Sequence, residues 1–127
     1  MNIYNLMLGD YVRTNDNWND KVANKICEVI GLREEENTIR LRICGTDTEA
    51  WSDTEDDIEP IPLTEEILER NLATDPRMSW CIGWNKKDDI HVEIKTQING
   101  SFFGTCYFVH QLQHALKLCG IDKTIEL

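Results

Sequence analysis

The segment Thr38-Ile39-Arg40-Leu41-Arg42-Ile43-Cys44 restricts the possible folds more than any other part of the chain. Its apolar and basic residues alternate without a break, and a period of two marks a strand that is dry on one face and wet on the other. Ile39, Leu41 and Ile43 therefore point to a core, and Arg40 and Arg42 to water.

The residues around it supply more short strands. Gly9-Asp10 is a turn ahead of a strand from Tyr11 to Arg13, and the cluster Asn15, Asp16, Asn17, Asn19 and Asp20 is a loop. Val22, Ile26 and Val29 to Leu32 mark a second strand, with a bulge expected near Ala23 and Asn24, where alternation fails. Glu34-Glu35-Glu36 must turn in solvent, and Ala50-Trp51 is another short strand. Glu59-Pro60-Ile61-Pro62 can only be an edge or terminal strand, because proline has no N–H to give to a ladder. Several short strands within about sixty residues predict a small SH3-like β-barrel over residues 1–63.

Beyond Pro62 the pattern changes. Thr64 is an N-cap for a short helix from Glu65 to Arg70, whose two leading glutamates suit the positive end of its dipole, and Leu63 and Leu68 fall at staple positions. Ser79 to Trp84, Ile90 to Ile98 and Ser101 to Phe108 are strand candidates. Asn85 to Asp89 forms the charged turn between the first two of them, and Asn99-Gly100 is a tight hairpin turn between the last two. A helix from about Phe108 to Cys119 carries Val109, Leu112, Ala115, Leu116 and Cys119 on one face and stops at Gly120. The tail Thr124 to Leu127 could add a last strand. The whole reads as α+β: the barrel module at 1–63, then an antiparallel sheet with a packed helix at 64–127, as two modules or packed as one domain.

Composition sets the class of partner. A content of 41% hydrophobic and 28% charged residues is that of a globular chain with a core. The net charge of -10 is lopsided, with 14 acids against 6 bases in residues 1–63 and 9 against 7 in residues 64–127. Such a surface repels nucleic-acid phosphates and favours a basic protein partner, so direct nucleic-acid binding is not expected. Leu6-Met7-Leu8 is too short for a signal-peptide core and no stretch is long enough to span a bilayer, so a cytoplasmic protein is expected. The five cysteines, at 27, 44, 81, 106 and 119, form no C-x-x-C pair and sit in apolar stretches, which suits small hydrophobes in a reducing compartment.

Two constellations could carry chemistry. His110 and His114 are four apart on a helix, a spacing that can bring two imidazoles to one metal ion, as in a metal-dependent hydrolase. No H-E-x-x-H glutamate accompanies them, and a helical projection sets both opposite the apolar stripe, so a solvated or partner-facing pair is the plainer reading. The run Asp47, Glu49, Asp53, Glu55, Asp56, Asp57 and Glu59 holds seven acids and no base. It lacks the central glycine and terminal glutamate of an EF-hand loop. A solvated barrel loop is the plain reading, and a weak cation site or a mimic of nucleic-acid phosphate docking on a DNA-binding protein are the two sharper ones. Serine-nucleophile, phosphate-loop and dinucleotide glycine motifs are absent, since the glycines at 9, 31, 45, 83, 100, 104 and 120 never cluster.

Three motifs in order span nearly the whole chain: Leu8 to Val12, Asp57 to Leu68, and Tyr107 to Gln113 with Leu118 to Ile121. Through them the chain resembles a family of short uncharacterised proteins from prophages and mobile elements of gut Bacteroidales. The resemblance implies origin and architecture and assigns no catalytic residue or cofactor. Together these readings predict an accessory, protein-binding protein without catalytic activity or cofactor, with Trp51, Asp53, Glu55, Asp56, Asp57, His110 and His114 as candidate contacts.

Overall fold

Residues 1–72, 82–85, 90–95, 102–118 and 120–127 are described by the structure, a computed structural model. The chain divides into two compact units, Met1–Ile61 and Pro62–Leu127.

The first unit is built on strands β1 (Tyr11–Thr14), β2 (Ile26–Arg33), β3 (Thr38–Ile43), β4 (Glu49–Asp53) and β5 (Ile58–Glu59). They form one antiparallel sheet in the order β4-β3-β2-β1-β5. Alternation decides which side chains go in: Val12, Cys27, Val29, Ile39, Leu41 and Ile43 are buried together with Ile3, Leu6 and Ile58. The Gly9-Asp10 turn forms as its sequence requires, with Gly9 at φ 92 and Gly9 N–H donating to the Val29 carbonyl at 2.8 Å. Asp10 is fully buried, and its Oδ2 accepts the Met7 N–H at 2.8 Å.

Several expectations need correction. Val22 lies in a turn, not in the second strand, because Asn24 adopts a left-handed φ of 55 and the strand opens only at Ile26. The register shift falls between Val29 and Gly31, several residues beyond the expected bulge. At Gly31 the chain passes so close to β3 that a Cβ would stand 3.1 Å from Cβ of Arg40. The predicted strand Glu59 to Pro62 is split. Ile58 and Glu59 pair with β1, whereas Pro62 forms an isolated bridge with Phe108 in the second unit. Proline ends the ladder after two residues, and β5 and β4 remain the two edges of an open sheet. No closed barrel is present among the described residues.

In the second unit, Leu63 N–H donates to the Tyr107 carbonyl at 2.9 Å. Helix α1 (Glu65–Asn71) starts as its sequence demands: Thr64 is extended and its hydroxyl accepts the Ile67 N–H at 3.2 Å. Leu63 and Leu68 are both buried. Strands β6 (Ile82–Asn85), β7 (His91–Lys95) and β8 (Phe102–Cys106) form a three-stranded antiparallel sheet in that order. Ser79 to Cys81, Lys86 to Asp89, Thr96 to Ser101 with the Asn99-Gly100 turn, and Cys119 lie outside the described residues.

Helix α2 (Val109–Leu118) buries Val109, Leu112, Ala115 and Leu116. It ends in a Schellman arrangement, with Gly120 at φ 72 and its N–H on the Lys117 carbonyl (3.0 Å), and with Ile121 N–H on the Leu116 carbonyl (2.9 Å). The tail does not form the strand that its β-branched residues suggest. Its main chain is instead held by the buried side chain of Asn71, which accepts from Glu126 N–H (2.7 Å) and donates to the Glu126 carbonyl (2.8 Å).

Candidate protein-interaction surface

Trp51 lies on the outer face of the first unit's sheet because β4 alternates: Ser52 is buried, while Glu49, Trp51 and Asp53 are exposed. With 46% of its surface open, Trp51 is the large aromatic that this sheet presents to water. Cζ of Arg33, at the end of β2, sits 4.2 Å from its ring centroid, a cation–π distance. Arg33 also approaches Glu36 at 3.5 Å. Leu32, Arg33 and the three glutamates that follow line an open concavity of about 440 Å³ beside this stack.

The other arginines of the outer face are already engaged. Arg13 bonds Glu59, its direct partner across β1 and β5, at 2.6 Å. Arg42 pairs with Glu28 opposite it, and Arg40 with Glu49. Each pair is half-exposed and worth only about 0.2–1 kcal/mol. Their electrostatic consequence is larger, because pairing cancels the basic charge and leaves the acidic loop to set the sign of the surface.

That loop, residues 53–57, is held by its backbone, so its side chains stay out. Asn15 and Asn17 donate their amides to the Asp56 carbonyl at 2.6 and 2.8 Å, and Trp18 Nε1 donates to the Asp57 carbonyl at 2.8 Å. Asn15 N–H adds a bond to Asp57 at 3.3 Å. Asp53 accepts the Glu55 N–H at 2.7 Å, and Glu55 accepts from the Asn37 side chain at 3.3 Å. Asp53, Glu55 and Asp56 are exposed and Asp57 is half-exposed. The asparagine cluster, which by composition is only a loop, is thus the clamp of the acidic segment. Sequence reasoning missed Asn15, Asn17, Trp18 and Arg33, whose partners in the loop and in Trp51 lie 18 to 42 positions away in the chain and leave no local trace.

His110 and His114 belong to the second unit, apart from the other candidates in sequence and in setting. Their rings are edge-to-face with centroids 5.8 Å apart, and His110 stacks on Phe108 at 6.0 Å. His110 is only 5% exposed, which corrects the helical projection that set it opposite the buried face. Burial reaches around most of the first turns of α2, so a single apolar stripe understates what is covered. Among the described residues, no group of three or more His, Cys, Asp or Glu side chains is arranged to hold a metal ion. Gln111, in the same motif, acts locally, since its side-chain oxygen accepts the N–H groups of Tyr107 (2.8 Å) and Phe108 (3.2 Å) and so caps α2.

The thiols differ in setting. Cys27 and Cys106 are buried, whereas Cys44 is exposed, contrary to the apolar position expected for it. Burial, with a smaller contribution from nearby Cys44, pushes the Cys27 thiol up to about 11. Cys44 is itself raised, first by desolvation and then by Glu28.

No described helix is long and apolar enough to cross a membrane. The chain matches no protein-family model, no curated protein and no solved structure.

Proposed function

We propose that this protein is a cytoplasmic, non-catalytic accessory protein that works by binding another protein, with the outer face of its first unit as the contact surface. The observation that carries the reading is an exposed Trp51, with Arg33 over its ring, close in the chain to the carboxylates of residues 53–57. Side-chain donors of Asn15, Asn17 and Trp18 hold the acidic loop by its main-chain carbonyls, so little ordering entropy is lost when a partner arrives. A tryptophan with a guanidinium on its ring is also the kind of anchor that dominates protein interfaces. The strand order, with β5 beside β1 and β4 at the far edge, supports reading the unit as an SH3-like barrel that is left open. The family resemblance favours a prophage or mobile-element origin.

A basic patch of a DNA-binding protein is one partner that this face would suit, with the protein then acting as a decoy for phosphate. The test is crosslinking in cells from a photoreactive residue placed at the exposed position 49 of the full chain. A single basic protein recovered in stoichiometric yield, and lost when Asp53, Glu55, Asp56 and Asp57 are neutralised together, supports the reading. Recovery of no protein partner ends it, and hydrolytic turnover that follows His110 and His114 would replace it.

A further inference from the structure

Strand β4 is an edge whose main chain is half used. Ile43 N–H donates to the Thr48 carbonyl (2.9 Å) and Thr54 N–H to the Asn37 carbonyl (3.2 Å), which fixes where the bonded pairs of the β3–β4 ladder fall. In an antiparallel pair, bonded and non-bonded residues alternate. Moving inward by two from either end gives Ala50 opposite Leu41 and Ser52 opposite Ile39 as the bonded pairs. Ala50 and Ser52 therefore aim their N–H and C=O groups at β3, while Glu49, Trp51 and Asp53 aim theirs away from the sheet. The Asp53 carbonyl accepts the Ser52 hydroxyl at 3.0 Å. Among the described residues nothing bonds the main-chain groups of Glu49 or Trp51, and no strand lies beyond β4.

We propose that this edge receives an extended, basic segment of the partner protein as an added strand, with an apolar side chain laid over Trp51 and lysine or arginine two residues to either side. The proposal rests on the interaction reading above and names its occupant and binding mode. Main-chain bonds to Glu49 and Trp51 supply affinity that any extended segment can use, and alternate side chains supply selectivity. On the outer face the added strand meets Glu49, Trp51 and Asp53. Arg33, Arg40 and Arg42, each already paired, stand there against seven carboxylates, at positions 28, 34, 35, 36, 49, 53 and 55. Charge complementarity therefore selects a cationic strand. It also disfavours a second copy of this chain: antiparallel self-pairing centred on Trp51 would set Glu49 opposite Asp53 and bring two chains of net charge -10 together.

The test uses the full chain and a fluorescein-labelled nonapeptide, Lys-Thr-Lys-Thr-Val-Thr-Lys-Thr-Lys, with a control in which glutamate replaces every lysine. Binding is followed by anisotropy at low salt and amide exchange by NMR. The expected result is binding of the lysine peptide alone, with exchange at Glu49 and Trp51 slowed at least tenfold. Ala50 and Ser52, already bonded to β3, should be unchanged. Trp51→Ala and the pair Asp53→Lys with Glu55→Lys should each weaken binding at least tenfold, and these exposed positions leave the core untouched. Absence of binding, or binding without protection at Glu49 and Trp51, overturns the proposal. A crosslinked partner retained by the Trp51→Ala protein also overturns the edge, while leaving the interaction reading in place.

Discussion

The replacement Asn71→Leu tests the least expected feature of the second unit, the attachment of the chain's last residues to α1. Asn71 is 1% exposed and makes three bonds through its amide: to the Ile67 carbonyl at 2.8 Å, to the Glu126 carbonyl at 2.8 Å, and from the Glu126 N–H at 2.7 Å. Leucine fills much the same space and can make none of them. A net bond contributes about 1 kcal/mol, and a buried polar group stranded by loss of its partner costs about 1–3 kcal/mol. The Ile67 carbonyl is part of a helix, so the main loss falls on the two main-chain groups of Glu126, and the expected destabilisation is about 3 kcal/mol. A unit of 66 residues, 62 to 127, commands only roughly 3–10 kcal/mol in total, so the loss should be plain in a urea titration. Amide exchange at Glu126 should accelerate at least tenfold in parallel, and burial of Ile125 should be lost with it. Asn71→Asp keeps the acceptor for Glu126 N–H but turns a carboxylate toward two carbonyls, so it should be at least as damaging. A loss below about 0.5 kcal/mol with Glu126 exchange unaltered would show that the tail holds without the amide and would refute the reasoning.

Other consequences can be checked on the same protein. Thr64→Ala removes the acceptor for Ile67 N–H and should cost about 1 kcal/mol, read from a thermal melt, whereas Thr64→Ser should cost little. Trp18→Phe deletes the indole donor to Asp57, costing about 1 kcal/mol and speeding amide exchange in residues 53–57 while leaving the β2–β3 amides protected. A thiol raised from its ordinary 9.0 to about 11 holds its proton more tightly when folded than when unfolded. The stability contributed by Cys27 is therefore complete below pH 9 and falls as the pH rises toward 11. Urea midpoints measured from pH 8 to 11 should decline, and Cys27→Ala should flatten that decline after its own constant loss. Cys44→Ser separates the part owed to the second thiol, which is raised in the same direction.

The legible parts of the fold were those in which the cause is local. Ile39, Leu41 and Ile43 are buried because neighbours two apart share a face, Thr64 caps because its hydroxyl lies three residues from the N–H it accepts, and Gly120 turns because it lacks a Cβ. Turns were harder, as Asn24 shows: a left-handed residue delayed β2 by several positions, and apolar Val22 looked like strand although it only packs beside the core. The histidine pair was misplaced for a related reason. A projection knows the helix's own residues but not what else covers it, and His110 is buried despite its polar neighbours.

The candidate surface divides in the same way. The sequence by itself determined the sign of the charge, the exposure of Arg40 and Arg42, and the acid-rich character of residues 47–59, since these follow from composition and from a period of two. Only the tertiary structure decided that Arg33 would stack on Trp51, that Asn15, Asn17 and Trp18 would hold the acidic loop by its carbonyls, and that Asn71 would bind the main chain of Glu126. Those contacts join positions 18, 39 to 41 and 55 apart. A hydrogen bond acts over about 3 Å, so which distant groups come within reach depends on how the whole sheet and its loops close, and a linear pattern does not carry that information.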